Sequence, residues 1–367
     1  MTGLIAHEWI EKAGGAERVL DSFVDMYPEA DVYCLWNVAP ERYPEGKVAE
    51  SPLARSPLRG RKALSLPLMP FVWRDLPAGE YEWMLVSSHL FAHHARTASV
   101  DADRTFVYAH TPARYLWAPE LDERGRSPLV RSVAPVFRAL DARRARRHSH
   151  LAANSAFVRD RIRATWRVDA QVIHPPVAVE WLQGVADWAG TLDAADRAVL
   201  DGLPDEYILG ASRFVGYKRL DVAIAAGAAS GVPVVIAGSG PEEAQLRALA
   251  RDSGVDVHFV LQPTDALMAA LMQNALVYVF VPIEDFGIMP VEAMALGTPV
   301  IVNEVGGASE SVVDGETGVA LGSFDESSLR RAVAVSREID PAAARDRARR
   351  FDEARFQGDI RSWMAAA

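Results

Sequence analysis

Short apolar, β-rich runs alternate with helically spaced segments from one end of the chain to the other, and this alternation constrains the fold more than any other feature. In the first half Leu4-Ile-Ala, Val32-Tyr-Cys-Leu, Trp83-Met-Leu-Val, Thr105-Phe-Val-Tyr, Leu151-Ala-Ala and Gln171-Val-Ile read as strands. Helical spacing fills residues 16–26, 129–147 and 156–166 between them. The second half is more regular. Tyr207-Ile-Leu, Val232-Pro-Val-Val-Ile, Val257-His-Phe-Val, Leu276-Val-Tyr-Val-Phe and Pro299-Val-Ile-Val each precede a helix-like segment. Near-continuous apolar strands in such alternation predict an α/β protein whose parallel sheets are covered on both faces. At 367 residues the chain exceeds the size of one growing core, so two units are expected. They are expected to join near Pro175-Pro176, with a polar hinge stretch running to Pro204. The domains are therefore 1–177 and 178–352, and a ligand should lie in the crevice at the carboxyl ends of the sheets. The last segment, 353–367, is helical, with Phe356, Ile360, Trp363 and Met364 along one face. It stands apart from the second strand pattern, free to pack on the first unit.

Charge and cysteine content narrow the functional classes. A net charge of −10 argues against a general nucleic-acid binder. The single cysteine, Cys34, excludes an intramolecular disulfide and any multi-cysteine metal site. No apolar run approaches the ~18–20 residues needed to cross a bilayer. No signal peptide follows Met1, so a cytoplasmic location is expected, with peripheral membrane association open.

The most informative motif is Glu284-Asp-Phe-Gly-Ile-Met-Pro-Val-Glu292-Ala-Met-Ala-Leu-Gly-Thr-Pro. It places one carboxylate in a loop before a helix and another in the expected first turn. Pro290 suits the first helical position, and Gly297 suits a left-handed ending. Between the acids, Phe286, Gly287, Ile288 and Met289 offer backbone N–H groups at the positive end of the helix, a site for phosphate. A nucleotide-sugar, with a diphosphate between two hydroxyl-bearing sugars, fits an acid on either side of an anion site. The alternative for Glu292 is a capping-box acid, although the Ser or Thr expected three residues earlier is Met289.

Other strand-to-helix junctions carry the remaining chemistry. Gly14-Gly15-Ala-Glu17 precedes a helix and allows close backbone approach to an anion, or is a plain turn. His110, in Tyr108-Ala-His-Thr-Pro-Ala-Arg114-Tyr-Leu-Trp117, ends a strand and either faces a reacting sugar or is a structural histidine packed by Tyr115 and Trp117. Arg213 and Lys218 straddle a loop centred on Gly216, where a planar fork and a point charge together can hold a diphosphate. Gly238-Ser-Gly240-Pro241 makes a second tight turn. Gly306-Gly307 offers further N–H groups beside the proposed sugar site.

Three features read as structural. Asp101 and Asp103 form a solvated turn rather than a metal site. His89, His93 and His94 have no carboxylate or cysteine at a zinc-site interval, so no metal is expected. The run Arg143-Arg144-Ala-Arg146-Arg147-His148 reads as the solvated face of one helix, with an anionic membrane surface as the alternative.

Together, in order and spacing, these motifs resemble the family 4 glycosyltransferases, retaining enzymes of the GT-B fold. Asn154-Ser155 before a helix and Ile173-His-Pro-Pro-Val177 extend the resemblance over essentially the whole chain. It implies two Rossmann-like domains facing a central cleft, with the last helix crossing back to the first. It assigns Arg213 and Lys218 to the donor diphosphate, Glu292 to the ribose, and Glu284 and His110 to the transferred sugar. Backbone at Gly14, Gly15, Gly287, Ile288 and Met289 completes the phosphate cradle. Gln262, where many relatives have Gly, neighbours the base. The closest likeness is to bacterial mannosyl- and hexosyltransferases of surface polysaccharide assembly. This implies GDP-mannose as donor, with a UDP-hexose second, and no cofactor or metal. The acceptor would be a glycan, a lipid-linked sugar or a small molecule. Arg114, Trp117 and the apolar, Pro-rich residues 64–76 are its candidate contacts. Two rival classes are a non-catalytic nucleotide-sugar sensor and a dinucleotide-dependent oxidoreductase. The three-glycine turn of the latter is absent.

Overall fold

The computed structural model describes residues 2–12, 14–74, 76, 79–119 and 128–366, the side chains of 128–133 excepted. Asp75, within the candidate acceptor stretch, lies outside them. The chain forms two compact units, Met1–Pro176 with Glu353–Ala367, and Val177–Asp352.

The first unit is built on a seven-stranded parallel sheet of order β3-β2-β1-β4-β5-β6-β7. The strands are β1 (Gly3–His7), β2 (Asp31–Cys34), β3 (Val48–Glu50), β4 (Trp83–Ser88), β5 (Thr105–Ala109), β6 (His150–Ala153) and β7 (Gln171–Val172). Successive side chains go to opposite faces, and both faces are buried. Leu4, Ala6, Met84, Val86 and Val107 enter one core, while Ile5, Leu85, Phe106 and Tyr108 enter the other. Gly3 admits a neighbour, because a Cβ there would lie 2.0 Å from the Trp83 indole. The sequence pattern did not reveal β3, whose Val-Ala-Glu is short and largely exposed at the sheet edge.

The terminal helix Glu353–Ala365 covers the second of these cores. Phe356, Ile360 and Trp363 are buried, with Phe356 stacked on Phe23 of the helix Gly15–Met26 at 5.7 Å and Trp363 edge-on to Phe106 at 5.4 Å. Phe23 and Phe106 are buried ring partners in sequence-remote elements, so the stripe on the helix has a complementary apolar surface.

The second unit holds a six-stranded parallel sheet of order β10-β9-β8-β11-β12-β13. Its strands are β8 (Ile208–Arg213), β9 (Val234–Ser239), β10 (Val257–Leu261), β11 (Val277–Phe280), β12 (Val300–Asn303) and β13 (Gly318–Leu321). Leu209, Val235, Tyr278 and Val300 face one core, and Ile208, Val234, Val277 and Ile301 the other. Residues 177–204, expected as hinge, are instead folded into this unit. They form the helices Val179–Gln183 and Ala194–Asp201, and Val179, Leu182 and Trp188 are buried in its core.

Both sheets reverse their winding beside their first strand, between β1 and β4 and between β8 and β11. The carboxyl ends at such reversals are where open parallel sheets take ligands. Among the described residues no helix is long and apolar enough to cross a membrane.

Candidate functional site

In the second unit the strand ends at the reversal bring the expected donor residues together. Lys218 Nζ donates to Glu284 Oε1 at 2.7 Å, and both side chains are 14% exposed. Lys218 leaves β8 through a single turn, Gly216–Lys218, that Arg219 closes in the left-handed conformation at φ +52°. The ammonium also lies over the Tyr217 and Phe280 rings, at 5.2 and 5.6 Å, which favour a cation at their faces. Arg213 donates to Tyr217 Oη at 2.8 Å, so the two cations share one aromatic neighbour.

Glycines set the approach of these loops. A Cβ on Gly238 would lie 1.9 Å from Ser212 O, and Gly238 sits at φ +135°. Only glycine lets the end of β9 close on the exit of β8, where Phe214 N donates to Ser239 O at 2.8 Å. On the other side Gly307 N donates to Glu284 O at 2.8 Å, and a Cβ on Gly307 would meet Asp285 O at 2.0 Å. The Gly306-Gly307 pair was expected to offer N–H groups to a sugar. The Gly307 N–H is instead spent on fixing the loop that carries Glu284.

The helix after that loop starts two residues earlier than the sequence implied. It spans Ile288–Ala295 behind Gly287, which takes φ +94°. Pro290 is then the third helical residue, still among those whose N–H has no partner within the helix. Glu292 is the fifth, in the second turn. A capping box needs its acid at the third position, so helix closure no longer accounts for Glu292. The far end behaves as expected. Gly297 at φ +92° donates to Met294 O, and Thr298 N donates to Ala293 O, a Schellman ending. Burial, reinforced by the negative charges of Glu292 and Glu284, pushes the Tyr278 phenol well above its ordinary pKa. Tyr278 therefore stays protonated, donating to Ala211 O at 2.8 Å beneath the site.

Gln262 follows β10 at φ +49°, a left-handed backbone that glycine adopts without strain. Its N–H donates to Gly238 O at 3.1 Å, tying it to the same turn. The conformation gives a physical reason why glycine suits this position.

The first unit gathers a separate constellation at the ends of β1, β4 and β5. His110 Nε2 and Ser87 Oγ are 2.8 Å apart, and Ser87 Oγ is 3.0 Å from His7 Nδ1. His110 is 8% exposed. Burial, aided by neighbouring His89 and opposed by Glu8, pulls it down to about 3, so the ring is neutral at physiological pH. Its ring neighbours are Tyr108 and His89, not the expected Tyr115 and Trp117. His7 Nε2 is buried without a hydrogen bond. Glu8 accepts from the backbone N–H of Leu90, Ala92 and His89 at 2.7, 2.8 and 3.1 Å and so anchors the loop after β4. The sequence signal for His7, Glu8, Ser87 and Ser88 was available: polar residues end otherwise apolar strands.

Gly14 is extended, and Glu17, third in the helix Gly15–Met26, is buried against it, accepting from Glu11 N at 3.1 Å. A Cβ on Gly14 would lie 2.1 Å from Glu17 Oε2. The anion nearest this helix start is the chain's own. Burial raises the Glu17 pKa.

Trp117 donates through Nε1 to Asp141 Oδ2 at 2.7 Å, and Arg114 opens the same four-residue helix. Asp141 corrects the histidine reading: a carboxylate does accompany His93 and His94, at 3.0 and 3.1 Å, brought from a remote helix. Among the described residues, His93, His94 and Asp141 bring three possible ligand atoms within 4.8 Å of one another, and so do His7, Glu8 and His89. Asp141 is already surrounded by donors, since Trp166 Nε1 also reaches Oδ2 at 2.7 Å. Asp101 and Asp103 are exposed, as a solvated turn requires.

Two Rossmann-like parallel-sheet domains, of seven and six strands, place the chain in the GT-B fold class. Residues 195–350 match the glycosyl transferases group 1 family, so the chain carries a domain of that kind. The chain is 38% identical over 129 residues to the phosphatidyl-myo-inositol mannosyltransferase of Mycobacterium leprae, covering 33% of this chain and 34% of that one. It is 29% identical over 197 residues to the GDP-mannose-dependent alpha-(1-6)-phosphatidylinositol monomannoside mannosyltransferase of Mycolicibacterium smegmatis, covering 49% and 50%. The chain thus matches about a third to a half of the length of these relatives. Among solved structures, Anabaena HepE in complex with UDP superposes over 100% of both chains with a TM-score of 0.71 at 18% identity.

Proposed function

We propose that the protein is a retaining glycosyltransferase that moves a mannosyl unit from GDP-mannose to an acceptor hydroxyl, without a metal. The Lys218–Glu284 pair carries this reading, because it sets a cation and an acid side by side at the β8–β11 reversal, before a glycine-led helix start. Breaking the anomeric C–O bond leaves a diphosphate anion and a cation-like sugar. Lys218, Arg213 and the N-terminus at Gly287 and Ile288 stabilise the anion, each such donor being worth ~3–4 kcal/mol in a preorganised site. Glu284 accepts a hydroxyl of the transferred sugar, and Glu292 the ribose hydroxyls. In the first unit neutral His110 hydrogen-bonds the sugar through the ring edge that Ser87 does not occupy. The acceptor oxygen attacks the face that the diphosphate leaves, its proton passes to the departing phosphate oxygen, and configuration is retained. Mannose is supported by the relatives from M. leprae and M. smegmatis, both mannosyltransferases by name.

Turnover of a panel of nucleotide-sugars tests the reading, with EDTA present and the product anomer assigned by NMR. GDP-mannose should be consumed fastest, with an α-linked product. Preference for a UDP-hexose would replace the donor. Loss of activity to EDTA with rescue by Mn²⁺ would end the metal-free mechanism, and nucleotide-sugar binding without turnover would make the chain a sensor.

A further inference from the structure

The first unit contains a cavity of about 490 Å³ whose walls include Arg74, Arg96, Arg144 and Arg147, with His94 and, among the described residues, one carboxylate, Asp101. Among the described residues none of the four arginines is ion-paired within contact distance. The expectation of a solvated basic face fails here, because Arg144, near the end of the helix Pro128–Ala145, is only 8% exposed. Its guanidinium donates to Pro70 O and to His94 Nδ1, the latter at 2.8 Å. An Nδ1 that accepts belongs to a neutral ring, whose Nε2–H then points to Asp141 Oδ1 at 3.1 Å. Both direct partners of the buried cation are therefore neutral. Asp141, the acid that acts on Arg144 without contacting it, is engaged by His94 and by the Trp117 and Trp166 indoles.

A buried cation without a contacting anion is unfavourable, and three more guanidinium groups nearby add repulsion. Burial, then Arg74, Arg147 and Arg96, draw the Arg144 pKa down to about 10 against the pull of Asp141. We propose that this cavity is an anion site that takes a phosphate group, as a phosphomonoester or a diphosphate. A phosphate monoester is close to doubly charged at neutral pH and offers three oxygens to several planar forks, which suits four arginines better than a carboxylate does. The site is not the strand-end constellation. Thr105, in its wall, begins β5, whereas His110 follows the end of that strand, roughly 16 Å further along at ~3.3 Å per residue.

Such a phosphate has two sources, a soluble phosphorylated compound or a lipid headgroup. The test titrates the intact protein with inorganic phosphate and pyrophosphate by calorimetry. It also measures co-sedimentation with phosphatidylcholine vesicles, with and without phosphatidic acid. Arg96→Gln/Arg147→Gln alters two exposed arginines and should fold normally. Lys218→Ala removes the competing diphosphate ligand of the second unit. Binding of phosphate, or of the phosphatidic acid vesicles, should fall about tenfold or more in the double variant and persist in Lys218→Ala. Competition by free phosphate against vesicles identifies a site open to soluble ligands, and vesicle binding without competition identifies a lipid surface. Either result supports the site. Equal binding by wild type and double variant, loss of binding in Lys218→Ala, or no binding of either probe to wild type would overturn it.

Discussion

Lys218 and Glu284 are 66 residues apart in sequence and 2.7 Å apart in space, each leaving a different strand at the β8–β11 reversal. Both side chains are only 14% exposed, so each charge holds the other in place. Removing one partner leaves the other charged and poorly solvated. Lys218→Ala and Arg213→Ala are each expected to lower turnover by ~10²–10³-fold, as loss of a preorganised donor does. Arg213 is exposed and should leave the melting temperature unchanged. Near-normal kcat in both variants would remove the diphosphate assignment.

The two glutamates should separate by what they bind. Glu284→Gln is expected to slow transfer while free nucleoside diphosphate still binds, since its proposed partner is the sugar. Glu292→Gln should weaken nucleoside diphosphate and intact donor alike, by ~1–3 kcal/mol for a charged acceptor lost. Its place in the second turn of the helix makes a capping defect an inadequate explanation for such a loss. Titration calorimetry with nucleoside diphosphate alone decides, and identical affinities in the two variants would reject the division of roles.

Most strands, β3 and β13 excepted, and the paired glutamates were legible because both are local signals: apolar runs of strand length, and motifs confined to one loop and one helix. Asp141 was not, because its partners His93, His94, Trp117 and Trp166 come from elements that only the fold brings together. Arg144 was misread for a related reason. A run of five basic residues looks solvated until one of them turns inward against His94. The start of the helix at Ile288 was hidden because Pro290 is acceptable at any of the first positions, and the positive φ of Gly287 does not show in sequence. His7 and Ser87 show the limit from the other side. Polar strand ends were visible, yet only the sheet order sets β1 beside β4 and so joins the two to His110.

Gly307 should be required for the acid loop, whereas Gly315 should matter only to its own turn. A Cβ on Gly307 meets the Asp285 carbonyl oxygen at 2.0 Å and Phe286 Cα at 2.7 Å, both backbone atoms that cannot rotate away. Gly307→Ala is therefore expected to displace Glu284, costing ~1–3 kcal/mol of stability by overpacking and lowering turnover more than tenfold. Gly315 takes φ +75° with open space around it. Gly315→Ala should cost ~1–2 kcal/mol through the left-handed backbone and leave kcat alone. Thermal melts and kcat for the two variants check the contrast, and equal loss of kcat in both would deny the loop-setting role of Gly307.

Buried neutral histidines should make the protein lose stability as pH falls, with activity limited by that loss and not by His110 titrating. Burial chiefly draws His94 and His110 down to about 3 and His148 to about 4, against an ordinary value of 6.5. Below pH ~6.5 the unfolded chain takes up protons that the folded chain refuses, so the free energy of unfolding falls with pH. The contribution is complete above the ordinary value and drains away down to the folded values, at up to ~1.4 kcal/mol per pH unit for each ring. Urea denaturation between pH ~7.5 and ~5 should show the loss. His148→Gln can still donate to His93 O and should flatten the slope by about one proton's share. Over the range where the protein stays folded, His110 remains neutral, so kcat should show no acidic limb near 6.5. A stability flat across this range would mean that these histidines protonate as readily folded as unfolded, and a kcat limb at that pH abolished by His110→Gln would mean that the His110 ring is charged in the folded protein.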